Sequence, residues 1–297
     1  MGTLLNPLYY AVSWVLVTFH SLLGVFTKNQ SIRWSLSIIG LVVLIRVILI
    51  PLFVKQIKGQ RAMTALAPQM KEIQKRYKDD RQKQSEEMMK LYKEHKTNPL
   101  ASCFPILAQA PIFFALFTVL NGISTHKPHG LMRGEVLASA DNATFFGANL
   151  SSRFIGSGNT TTKVVTILLI LFMSASTFST QRQLMTKGMP KMDSSNNMML
   201  QQQKIMLYVF PVIFAISGVN FPVGVLLYWG TTNLWTFGQQ MYVIKRNPTP
   251  GSPAYDEWKK KQDKKNKNEV VSEDNQGSVA VEEPKGQRQQ PKRKKRR

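Results

Sequence analysis

The sequence predicts an all-α integral membrane protein with five membrane-crossing helices and a helical hairpin on the cytoplasmic side. Three observations carry this reading. Apolar residues gather in five or six long blocks rather than recurring at helical or strand period along the whole chain. Lys and Arg gather between and after those blocks: of 39 in 297 residues, twelve lie at 55–96 and sixteen at 245–297. The five longest apolar blocks contain no Asp or Glu.

A helix needs about 20 apolar residues to cross roughly 30 Å of hydrocarbon. Segments 35–54, 102–121, 163–181, 205–220 and 222–243 meet or approach that length. The last two are joined by Val219-Asn220-Phe221-Pro222, too short for anything but a tight hairpin. The first segment, 1–34, holds a sixth apolar stretch at 7–26. It is uncharged, but Ser13, Thr18, His20 and Ser21 are mixed with Tyr9, Tyr10 and Trp14. That mixture suits a helix lying in the membrane interface as well as one that spans. No Lys or Arg occurs before Lys28, so a transit peptide is not expected and the amino terminus is expected to stay on the mature chain.

The net charge of +22 would direct a soluble chain toward nucleic acid. Here the charge is confined to two segments, and basic loops stay on the cytoplasmic side. Segment 55–101 and the tail 245–297 are therefore placed in the cytoplasm, on the same side. The loop 122–162, with three basic residues, faces outward, and the loop 182–204 faces inward. No DNA partner is expected.

Within 55–97 a narrow apolar stripe, Met63, Leu66, Met70, Ile73 and Tyr77, recurs at three and four residues. Lys78-Asp79-Asp80 interrupts it, and a second helix with Met88, Leu91 and Tyr92 ends near Asn98-Pro99. Either the two stripes bury each other, or Met63, Leu66, Met70 and Ile73 form part of a docking arm for a partner. The tail from about 248 is polar and basic, ends Pro-Lys-Arg-Lys-Lys-Arg-Arg, and reads as disordered.

Arg46 is the most informative residue. It falls near the middle of block 35–54, between Leu41-Val42-Val43-Leu44-Ile45 and Val47-Ile48-Leu49-Ile50. Arg at mid-bilayer costs about 2.5–3.5 kcal/mol on insertion scales. With no carboxylate in any span, its charge must be held by water and dipoles, in a wet cavity reaching in from one side. Gln109, Gln181, Tyr228, Trp229, Thr231, Thr232 and Asn233 could line the same cavity or make ordinary interhelical hydrogen bonds. Met185, Met189, Met192, Met198, Met199 and Met206 cluster around the second inward loop, either for varied apolar partners or for ordinary packing. Cys103 reads as a small hydrophobe, and His126-x-x-His129 lacks further ligands. No metal or cofactor is expected. There is no phosphate loop, no membrane carboxylate for a proton relay and no nucleophile pair at membrane depth.

Several runs resemble the YidC family of membrane protein insertases over about residues 35–244. They are Ile45-Arg46 to Pro51-Leu52, Pro68-Gln69-Met70, Lys90-Leu91-Tyr92-Lys93, Asn98-Pro99-Leu100, Cys103-Phe104-Pro105-Ile106 and Gln109-Ala110-Pro111-Ile112-Phe113. Phe221-Pro222 with Leu227-Tyr228-Trp229, and Asn233 with Gln239-Gln240, complete the pattern. The Trp-Thr-Phe-Gly-Gln-Gln run and the lack of a large outer domain look like the actinobacterial members. The resemblance implies five core helices around a hydrophilic groove open to cytoplasm and lipid. It implies that Arg46 is the groove arginine, Tyr228 or Trp229 the aromatic of the last helix, and Gln181 the inner-end glutamine. It favours an interfacial 7–26. Position 42 is Val where some members carry a hydroxyl, which thins the polar lining. The implied function is insertion, folding and assembly of proteins in the bacterial plasma (inner) membrane, alone or beside the Sec translocon, without enzymatic chemistry or nucleotide hydrolysis. The implied partners are nascent membrane proteins and the lipid bilayer, with the tail on ribosomal RNA or on anionic lipid. A channel using Arg46 for anion selectivity is the competing reading, and it predicts a route open on both sides.

Overall fold

The computed structural model describes residues 2–97, 104–189 and 204–276. Cys103, the Asn98-Pro99 end of the hairpin, Met192, Met198, Met199 and the basic terminus after 276 lie outside the described residues. The described chain divides after Tyr255 into a large unit and a second one.

The large unit is almost entirely helical. Helix α1 (Gly2–Leu23) buries one face, Tyr9, Val12, Ser13 and Leu16, at three- and four-residue spacing. Helix α2 (Gln30–Ile48) starts at Asn29, whose side chain accepts from the backbone N–H groups of Ser31 and Ile32. It stops at Leu49, and α3 (Ile50–Ala65) begins immediately afterwards. Pro51 explains the break: it lacks an N–H, and its ring crowds the carbonyl four residues back. The helix expected at 35–54 is therefore two helices, the first starting five residues earlier. Arg46 lies in the last turn of α2 rather than mid-helix.

Helices α4 (Ala67–Arg76) and α5 (Arg81–Glu94) fold back on each other, with Asp80 capping α5 through the Lys83 N–H. Helix α6 (Phe104–Ser124) leads into a segment expected to be only a loop. That segment contains helix α7 (Gly134–Asp141) and a two-residue antiparallel pair, β1 (Thr144–Phe145) with β2 (Ala148–Asn149). Asn159 caps helix α8 (Thr160–Gln183), which runs on through a π-helical turn at Leu184–Gly188. The described start of the expected loop 182–204 is thus helical. A second π-helical turn, Ile205–Val209, opens into α9 (Phe210–Gly218). Pro222 then starts α10 (Val223–Arg246). Helix α11 (Pro253–Gln276) follows and crosses into the second unit, where its continuation is the described structure. This corrects the expectation of disorder over 253–276. Ser252 accepts from the Tyr255 N–H, Pro253 stands at the first helical position, and Asp256 falls in the first turn.

Helix α10 is the hub, packing on α2, α6 and α8, while α1 packs on α2 and α6, and α9 on α8. The core includes Leu16, Trp34, Ile38, Leu41, Leu116, Val119 and Val225, all nearly inaccessible. Around it, Leu168, Leu171, Val212, Ile213 and Ile216 project large apolar side chains outward from α8 and α9. Such a girdle has no place in water and suits hydrocarbon. By length and composition, Gln30–Ile48 and Thr160–Gly188 can cross a membrane, with shorter apolar helices at Gln109–Ser124 and Ile205–Gly218. Helix α10, expected to span at 222–243, is absent from that set because Thr231, Thr232, Asn233, Gln239 and Gln240 make it polar.

The segment after α6 is laced to one end of the bundle. Ser13 Oγ accepts from the Leu131 N–H at 2.9 Å, Ser31 Oγ from the Thr144 N–H at 2.9 Å, and Ser139 Oγ from the Trp34 indole at 3.0 Å. Val223 and Gly224 N–H groups bond Ser152 and Leu150 carbonyls at 2.9 and 2.8 Å. Arg153 donates to Asn121 and Ser124 at the end of α6. Gly130 sits at φ +60°, and a Cβ there would come 2.2 Å from Ser13 Oγ.

Candidate functional groove

On α10, Tyr228, Thr232 and Thr236 recur every four residues and share one face. At its upper end Gln109 of α6 donates from Nε2 to the Tyr228 hydroxyl at 3.2 Å. At its lower end the Arg46 Nη2 donates to Thr236 Oγ1 at 3.1 Å. Thr236 in turn donates to the Thr232 carbonyl at 2.8 Å, leaving its lone pairs free to accept from the guanidinium. A polar ladder thus joins α6, α10 and α2.

The charge of Arg46 is met by dipoles, as the lack of carboxylates requires. Its side chain leaves the last turn of α2, where the helix dipole favours a cation. The guanidinium carbon lies 5.3 Å from the centroid of the Phe53 ring, within cation–π range. Arg46 is partly exposed.

The other expected groove residues separate. Asn233 is one residue round from Thr232, and its amide donates to Thr177 Oγ1 at 3.2 Å and the Met173 carbonyl at 3.5 Å, tying α10 to α8. Trp229 belongs to an aromatic cluster with Phe113, Phe214 and Phe221, at ring-centroid distances of 5.6, 4.5 and 5.8 Å. Of the two aromatics considered, Tyr228 is the one on the polar ladder. Gln181 is in the last turns of α8, and no hydrogen bond links it to the ladder among the described residues. Leu66 is buried against Leu91 and Tyr92, with Met63, Met70, Ile73 and Met88 packed around them. Leu66 is thus consumed inside the hairpin, while Met63, Met70 and Ile73 stay partly exposed at its edge. Tyr92 also donates to the Met70 sulfur at 3.9 Å.

Thr236, Phe53 and Thr177 were not singled out from the sequence. The four-residue spacing of Tyr228, Thr232 and Thr236 is the signal that could have found the first. Beside the ladder, a cleft of about 560 Å³ opens between α3 and the second half of α10, with Phe53 in its wall.

The chain matches the family model of the 60Kd inner membrane protein over residues 25–250. It is 57% identical over 264 residues to the membrane protein insertase YidC of Streptomyces avermitilis, covering 86% of this chain and 61% of that one. It is 35% identical over 314 residues to the YidC insertase of Tropheryma whipplei strain Twist, covering 100% and 96%. A crystal structure of an active YidC insertase with its first transmembrane domain resolved superposes with a TM-score of 0.51 at 27% identity, over 78% of this chain and 46% of that chain. The chain spans about three fifths of the length of the Streptomyces relative and nearly all of the Tropheryma one. With the membrane girdle and the polar ladder, these likenesses place the chain in the YidC family of membrane protein insertases.

Proposed function

We propose that this chain inserts, folds and assembles membrane proteins, and that the ladder from Gln109 and Tyr228 to Thr236 and Arg46 lines the groove its clients use. The observation that carries the reading is Arg46 on Thr236: a fixed cation at a helix end, held by a hydroxyl and an aromatic ring, with no carboxylate paired to it among the described residues. A cation so held can still attract an acidic group on a passing chain.

The mechanism uses no nucleotide. A nascent hydrophobic segment enters from the cytoplasm, and its polar flank is held beside Arg46 in water. The segment then moves sideways into lipid, where burial of about 20 apolar residues drives the step. Five helices, 30–48, 104–124, 160–188, 205–218 and 223–246, form the membrane core in this reading. The carboxyl terminus and the α4–α5 hairpin are cytoplasmic, by the distribution of Lys and Arg. Helix α1 lies along the outer interface: Tyr9 packs on His129, while His20 stacks on Trp34 and bonds Gln30, so both its ends touch the same end of the bundle. The buried outer half of α10 and the bonds across 129–153 support a groove closed on the outside, against the channel reading. The Sec translocon and the ribosome are the proposed working partners, and the hairpin's charged faces the surface that meets them.

The test is complementation. Cells depleted of this protein receive wild type, Arg46→Ala or Arg46→Lys, and insertion of a single-span client with an acidic translocated flank is followed. The reading expects Ala to fail and Lys to work. Full activity of Ala for every client would overturn the role of Arg46.

A further inference from the structure

The cleft beside the ladder is a second site, of different chemistry. Its walls are Phe53, Val54 and Ile57 of α3 and Leu234, Trp235 and Tyr242 of α10. Its volume, about 560 Å³, falls in the usual range for a small-molecule site, roughly 300–1,000 Å³. Val54, Leu234 and Tyr242 are strongly exposed, so the cleft opens outward along the apolar surface rather than into the ladder. Gly238 belongs to its lining, and a Cβ there meets nothing within 4 Å. The space is therefore real at the level of a methyl group.

One end of this apolar slot is basic. Lys245 and Arg246 lie between two lining residues, Val243 and Asn247, and both are exposed. Neither α3 nor α10 contains Asp or Glu, so the two helices offer no internal partner for these cations. Asn247 lines the same end. Grooves that are apolar along their length and basic at the mouth suit one acyl chain with an anionic headgroup.

We propose that this cleft binds one anionic phospholipid of the cytoplasmic leaflet, its acyl chain between Phe53 and Trp235 and its phosphate at Lys245 and Arg246. The lipid would then form part of the wall on which Arg46 rests, because Phe53 faces both. Two other occupants, a client's apolar segment and undifferentiated bulk lipid, are distinguished by the test.

Trp235 supplies the readout. The full chain is reconstituted in phosphatidylcholine vesicles carrying a minor fraction of either brominated phosphatidylglycerol or brominated phosphatidylcholine, with no client present. Wild type should be quenched more strongly by the brominated anionic lipid, and Trp235→Phe should lose that excess. Gly238→Leu, which adds a side chain at a position where a Cβ meets nothing within 4 Å, should abolish the excess while leaving the quenching by bulk lipid. Lys245→Gln with Arg246→Gln should weaken the preference by about fivefold per charge removed. Equal quenching by the two lipids in wild type would mean bulk lipid only and overturn the proposal. An undiminished excess in Gly238→Leu would place the anionic lipid elsewhere and overturn it as well. A cleft that stays dark to both lipids until a client is added would assign it to the client instead.

Discussion

The Arg46 guanidinium of α2 and the Thr236 hydroxyl of α10 are joined by a hydrogen bond of 3.1 Å, across 190 residues of sequence. Thr236 contributes only through the guanidinium it positions. Thr236→Val should reduce insertion of acid-flanked clients by about fivefold, the worth of roughly 1 kcal/mol. Arg46→Ala with Thr236→Val should be no worse than Arg46→Ala alone, which a double-mutant cycle of insertion rates would read. Additive losses would mean the two residues act separately.

The bonds that lace the segment after α6 to one end of the bundle should be costly to disturb. Ser13→Ala removes the fully buried hydroxyl that accepts from the Leu131 N–H, a loss of about 0.5–1.5 kcal/mol. Gly130→Ala should also destabilise, by roughly 1–2 kcal/mol from the left-handed backbone and by more from the contact with Ser13. Thermal unfolding in detergent would report both as a lower Tm. The pair should fall short of additivity, since Ser13→Ala removes one of the oxygens that the new Cβ meets, while the Tyr9 carbonyl at 2.7 Å remains.

Asn233 is expected to act through helix packing. The bond to Thr177 joins α10 to α8, and such interhelical pairs contribute about 0.6 kcal/mol on average inside a bilayer. Asn233→Leu should therefore leave a folded protein with a modest loss of stability, measured by steric trapping or unfolding in mixed micelles. A collapse of folding would identify Asn233 as a far more central contact than its two bonds indicate.

The hairpin should open when its small core is cut. Leu66→Ala removes a nearly fully buried side chain from a cluster of only a few residues, with a loss of about 2–5 kcal/mol in larger cores. Trypsin added to inside-out vesicles should then cleave faster at Lys78 and Arg81, while the membrane core stays intact.

The same hairpin should weaken in alkali. Burial raises the Tyr92 phenol above its ordinary value. The folded hairpin thus holds the proton more tightly than the unfolded one. Its contribution is complete below the ordinary tyrosine range near pH 10 and is lost as pH climbs through the raised value. Protease sensitivity of the hairpin should rise above about pH 10 in wild type and be flatter in Tyr92→Phe.

Hydropathy and charge located the helices because lipid imposes both in bulk, residue by residue. They missed where α2 ends, since one proline outweighs the apolar run on either side of it. They also missed α7 and the β1–β2 pair, whose eight- and two-residue elements depend on Trp34, Ser31 and Leu150 rather than on local propensity. Helix 253–276 escaped because composition argues for disorder while Ser252, Pro253 and Asp256 specify a helix start. In the groove, Arg46 was legible as an unneutralised charge, and Gln109 and Tyr228 as polar residues in apolar helices. Their pairing was not legible, because it depends on which faces of α2, α6 and α10 meet. Gln181 carries the same polarity but makes no hydrogen bond to the ladder among the described residues.

The burial of α10 is uneven: all of its buried residues fall between Val223 and Gly230, and none beyond. The first half of the helix therefore carries its close packing, while the second half is held by side-chain bonds such as Asn233 to Thr177. Changes at Val225 or Leu226 should be purged by misfolding before any client is met. Changes from Thr231 onward can alter what the protein accepts at little cost to its integrity. A single helix thus combines a fixed anchor with an adjustable surface, and on the proposed function substitutions in its second half can retune what is bound without rebuilding the fold.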